Sequence, residues 1–72
     1  VTGDGLLEIM PDGYGFLRLR EESYMPGPSD VYVAPTFIRK LGLRNGDTLT
    51  GTLRAPKQGE RYFALVNATS VN

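Results

Sequence analysis

Turn-forming residues recur so closely along this chain that the segments between them are short, and within those segments apolar residues alternate with polar ones. A period of two marks a strand with one buried face, and no stripe at helical spacing competes with it. Nine glycines and five prolines in 72 residues supply the interruptions and point to a small all-β domain. A first strand is expected over Leu6–Met10. Pro11-Asp12-Gly13 then turns the chain into a second strand within Asp12–Arg20, and the two pair as a hairpin. The proline-rich connection Tyr24–Ser29 leads to a third strand over Asp30–Ala34. Pro35 can open a helical turn that places Ile38 and Leu41 on one side. Asn45-Gly46-Asp47 reads as a turn, Thr48–Leu53 as a fourth strand, and Arg61–Val66 as the start of a fifth after the loop Pro56–Gly59.

Five short strands with one helical segment between the third and fourth make the layout of a Greek-key OB-fold barrel. Closure removes the edges that five separate strands would expose. We expect residues 1–72 to form one domain, cut from a longer chain, because the sequence opens on Val1 without methionine and stops at Asn72. There is no cysteine and no histidine. Disulfides, thiolate zinc sites and Ser-His or Cys-His nucleophilic pairs are therefore out of reach, and the chain suits a reducing compartment. With no apolar run near the roughly 18 residues of a membrane span, we expect a cytoplasmic protein with no membrane partner. Eight basic residues balance eight acidic ones, so no long-range positive field gathers a polyanion. Any nucleic acid must be held locally.

The stretch DGYGFLRLR, Asp12–Arg20, gives that local grip a form. On a strand, Gly15, Leu17 and Leu19 share a core-type face, while Tyr14, Phe16, Arg18 and Arg20 share the other. The third strand repeats the arrangement, with Val31 and Val33 inward and Asp30 and Tyr32 outward. So does the fifth, with Phe63 and Leu65 inward and Glu60 and Tyr62 outward. A single outward ring is ordinary cross-strand packing; three strands that each pair a ring with a charge make a stacking surface. Each base stacked on a ring is worth about 1–3 kcal/mol, and an acid beside an arginine can meet the donors and acceptors of a base edge.

These residues resemble a known family. Asp12-Gly13-Tyr14-Gly15-Phe16-Leu17 is similar to the first ribonucleoprotein motif of cold-shock domains, and Asp30-Val31-Tyr32-Val33 to the second. The histidine usual after the second motif is missing. Instead the run Ala34–Asp47 and the block Arg54–Leu65 resemble the RNA-binding domain of bacterial transcription termination factor Rho, a likeness that spans Gly3–Asn72. The resemblance implies a primary site for cytidine-rich single-stranded RNA, in which Tyr32, Glu60 and Tyr62 enclose one pyrimidine. Phe16 would stack the next base, whose edge meets Arg18 and Asp30. Tyr14 stands where the family often has phenylalanine and keeps the ring. It further implies a parent that is an ATP-driven hexameric helicase using ATP and magnesium, with this domain monomeric on its own. No G-x-x-x-x-G-K-[ST] loop occurs here, so no catalytic residue and no cofactor are expected within these residues.

Other features have plainer readings. Arg39, Lys40 and Arg44 around the helical turn form the kind of cluster that is ordinarily a solvated face, although Lys40 is a candidate phosphate contact, as are Lys57 and Arg61 beside Glu60 and Tyr62. Asp4, Asp12 and Asp47 each adjoin glycine, which turn chemistry explains better than a metal. Glu8 and Glu60 lack the companions a hydrolase would need. A protein-binding barrel or an oligosaccharide-binding barrel would use the same rings, and the Asp30–Arg18 combination favours a nitrogenous base over both.

Overall fold

A computed structural model describes residues 1–72. β1 (Thr2–Ile9) and β2 (Gly15–Leu19) form the expected hairpin, antiparallel from Gly5↔Leu19 to Ile9↔Gly15. β1 starts well before the expected Leu6 because it serves two neighbours: its first half, Thr2–Leu6, pairs with β4 (Thr48–Arg54). The Gly3-Asp4-Gly5 run is therefore a bend inside a strand, where the chain passes from one partner to the next. A side chain at Gly5 would run into the Arg18 carbonyl. Asp4 accordingly does not sit in a turn; its carboxylate faces Arg20 at 3.4 Å. Arg20 itself has left the strand and opens a 3-10 turn (Arg20–Glu22).

β3 (Val31–Val33) runs antiparallel to β2 and parallel to β5 (Phe63–Val71), and β5 runs antiparallel to β4. The strands close as β1-β2-β3-β5-β4, a five-stranded barrel with a single short α-helix, α1 (Pro35–Leu41), between β3 and β4. This is the expected OB-type architecture. β5 extends beyond the expected Val66 to Val71, in register with β4 as far as Leu49↔Val71.

Leu7, Leu17, Leu19, Val31, Val33, Leu49, Leu53 and Leu65 fill the barrel, and Ile38 and Leu43 join the same cluster from α1 and the segment after it. Two expected core residues are not in it. Leu41 is exposed, because Gly42 turns left-handed (φ 62°) and ends the helix. The Gly42 N–H donates to the Arg39 carbonyl at 3.3 Å and the Leu43 N–H to the Ile38 carbonyl at 3.0 Å, the two closing bonds of a Schellman motif. That reversal swings Leu43 into the core seat. Phe63, at the start of β5, is also outside the core, 38% exposed; of the expected inward pair only Leu65 is buried, with Ala64 buried beside it.

Candidate nucleic-acid interface

The outward row of β2 carries Phe16 and Arg18, and the antiparallel register sets Tyr32 of β3 directly opposite Phe16. Tyr14 lies just before β2, where the Pro11–Gly13 turn closes through a Gly13 N–H to Met10 carbonyl bond of 2.9 Å. Tyr62 lies just before β5. From these four positions the rings converge: Phe16 meets Tyr62 edge-on at 5.0 Å between centroids, Tyr14 edge-on at 5.8 Å and Tyr32 edge-on at 6.4 Å. Tyr14 and Tyr32 lie face to face, 5.8 Å apart and 27° from parallel. Tyr14 therefore backs Tyr32 on one side. All four rings remain partly open to solvent.

Arg18 and Asp30 come together, and Asp30, read from alternation as outward, is in fact buried, with 7% of it exposed. The Arg18 guanidinium donates through Nη1 to Asp30 Oδ2, and its carbon stands 5.2 Å from the Phe16 ring centre, within cation–π range. Asp30 is held from behind, since Oδ2 also accepts the Gly27 N–H at 3.2 Å. Its other oxygen has no partner in the protein and keeps contact with solvent. Arg18 has a second acid that the sequence reading did not assign to it. Glu8 Oε1 accepts from Nε at 3.1 Å and from Nη2 at 2.7 Å. Burial works against the charge on Arg18, but the Glu8 hydrogen bond and the charge of Asp30 outweigh it, so its pKa moves upward and the side chain stays a cation. One cation between two carboxylates leaves the triad with a net negative charge. Such a cluster suits the neutral, hydrogen-bonding edge of a base better than a phosphate.

Beside the rings, Tyr32, Tyr62, Glu60, Arg61, Arg54 and Ala64 line a cleft of about 330 Å³. Glu60 is pinned there by Arg54, whose Nη1 and Nη2 reach its two oxygens at 2.7 and 3.2 Å, and by the Lys57 N–H at 2.9 Å. The Arg54 hydrogen bond first, then the Lys57 N–H, hold its pKa down to about 2, from an ordinary 4.5. Arg54 is the second residue that sequence reading missed. Both had a signal: Glu8 pairs with Phe16 across the hairpin, and Arg54 continues the outward row Thr48, Thr50, Thr52 of β4. Glu8 and Glu60 each bond a different arginine, so they do not form a carboxylate pair.

Among the candidate phosphate contacts, Arg61 lines the cleft and Lys57 sits in the adjoining loop. Lys40 is exposed in the last turn of α1 and is not among the residues that line the cleft. No cluster of three or more metal-type side chains comes together, and no helix is long and apolar enough to cross a membrane.

Comparison with known proteins gives one consistent result. Residues 3–72 match the family described as Rho termination factor, RNA-binding domain. The whole chain is 56% identical to part of the transcription termination factor Rho of Pseudomonas aeruginosa, and equally to that of Buchnera aphidicola and that of Escherichia coli K12. It spans 17% of the length of each of these relatives.

Proposed function

The chain belongs to the Rho termination factor RNA-binding domain family, and from that premise we propose that it is the primary RNA-binding site of a termination factor, taking cytidine-rich single strands. One pyrimidine enters the cleft between Tyr32, Tyr62 and Glu60; the next stacks on Phe16 and turns its pairing edge to Arg18 and Asp30. Tyr14 stiffens the platform from behind Tyr32. The observation that carries this reading is the convergence of four partly open rings on an Arg–Asp pair with one free acceptor oxygen. Cytosine offers an amino donor at N4 beside acceptors at N3 and O2. An ionised aspartate only accepts and an arginine only donates, so the pair can satisfy that edge. Uracil would set a carbonyl oxygen against the carboxylate.

Arg61 and Lys57, with Lys40 further off, neutralise phosphates. Catalysis and cofactors belong to the rest of the parent: a cytoplasmic, hexameric ATP-driven helicase using ATP and magnesium, to which this domain contributes grip and base preference. The test is fluorescence anisotropy with labelled oligocytidine, oligouridine and oligoadenosine. Oligocytidine should bind most tightly, and soluble glycans should not compete. Equal binding of the three oligonucleotides would remove the base-reading role.

A further inference from the structure

We propose that Glu8 is a positioning residue for base selection: it fixes the rotation of the Arg18 guanidinium, and so decides which N–H groups Arg18 presents. This rests on the reading of Arg18 and Asp30 as the base-edge pair. A guanidinium has five N–H groups in a rigid plane. Glu8 Oε1 takes the Nε–H and one Nη2–H, and Asp30 Oδ2 takes one Nη1–H. What remains is one N–H on each Nη, both in the guanidinium plane. With Asp30 alone, Arg18 could pivot about a single contact and offer its donors in several orientations. The second anchor, from a different strand, removes that freedom before any ligand arrives. β1 carries Glu8, β2 carries Arg18, and the hairpin register sets Glu8 opposite Phe16, so the acid approaches Arg18 from its own strand. Asp30, just before β3, approaches from the other. Glu8 itself is half exposed, with 53% of its side chain open, whereas Arg18 keeps only 12%. When Glu8 is removed, Asp30 still pairs the Arg18 guanidinium, which leaves orientation as the chief effect of Glu8.

The experiment measures the oligocytidine to oligouridine affinity ratio for wild type, Glu8→Ala and Glu8→Gln, with thermal melts and the Arg18 Nε–H resonance of the free proteins. In wild type that resonance should be sharp and slowly exchanging. Glu8→Ala should broaden it and cut the ratio about three- to tenfold, the scale of one ordinary net hydrogen bond. Its melting temperature should move by less than about 5 °C. Glu8→Gln keeps an oxygen that accepts from the same N–H groups and should restore most of the ratio. A ratio unchanged in Glu8→Ala, a rise in affinity for both oligonucleotides, or no recovery in Glu8→Gln overturns the proposal. A wild type without cytosine preference overturns the underlying reading and this inference with it, and is recognised before any variant is made.

Discussion

Neighbouring residues on β2 face opposite ways, and substitution should separate their effects. Leu17 is fully buried in the barrel, while Phe16 looks outward between Tyr62 and Tyr32. Leu17→Ala should cost about 2–5 kcal/mol of stability as a core truncation. Phe16→Ala should instead lose about 1–3 kcal/mol of oligocytidine binding, with a small change in melting temperature. Melts and binding isotherms on the two variants check both; a Phe16→Ala domain that unfolds while Leu17→Ala is silent would mean the faces are inverted. Asp30→Asn is the finer test. The amide can donate to the uracil oxygen, so the preference for cytosine over uracil should shrink by about 1–3 kcal/mol. Glycine at position 51 is equally specific. A Cβ there would meet the Asn67 carbonyl and lie 2.7 Å from a Leu65 methyl, so Gly51→Ala should destabilise by about 1–3 kcal/mol.

At the scale of elements, legibility followed the burial of one face. β2, β3 and β4 alternate cleanly, and their inward residues were readable because each strand buries one face against the same core. The second half of β5 was not. Val66 and Val71 stay exposed, and Asn67–Ser70 joins β4 through main-chain pairing with register shifts on the way, which leaves no apolar pattern to read. The Gly3-Asp4-Gly5 run misled for a related reason, since glycine that permits a turn also permits a strand to bend against a neighbour. The site divided the same way. The rings and the outward Arg18 were legible from alternation, and the Arg18–Asp30 pair only from the family resemblance; Arg54 continues the outward row of β4, but its bond to Glu60 and that of Glu8 to Arg18 needed the fold. The loop between β4 and β5 shows what Arg54 adds. Through its bonds to Arg54 and the Lys57 N–H, Glu60 has a folded pKa of about 2 against an ordinary 4.5. A depressed carboxyl stabilises the folded loop above pH 4.5, and that contribution fades as pH falls from 4.5 towards 2. A carboxyl-detected NMR titration should place the Glu60 midpoint near 2, and Arg54→Ala should bring it back towards 4.5.

For the whole molecule, charge balance sets how the domain responds to salt. Net charge is zero, and Arg18, Arg20 and Arg54 are spent on internal ion pairs with Glu8, Asp30, Asp4 and Glu60. Arg39, Lys40, Arg44, Lys57 and Arg61 carry no such pair, and of these only Arg61 lines the cleft, with Lys57 in the loop beside it. Each phosphate neutralised on a single strand contributes about 0.7 to the slope of log affinity against log salt. If Lys40, Lys57 and Arg61 each neutralise one, the slope should be about −2. On the proposed reading, stacking and base-edge hydrogen bonds, which release no counterions, supply the rest. The isolated domain should therefore bind weakly and tolerate salt, and a ring of several copies on one strand would gain strength because each later contact is intramolecular. Anisotropy titrations of oligocytidine between low and moderate salt measure the slope directly. A value of about −3.5 would require phosphate contacts from Arg39 and Arg44 as well, and the strand would then have to run past the ring platform and along the whole basic cluster around α1.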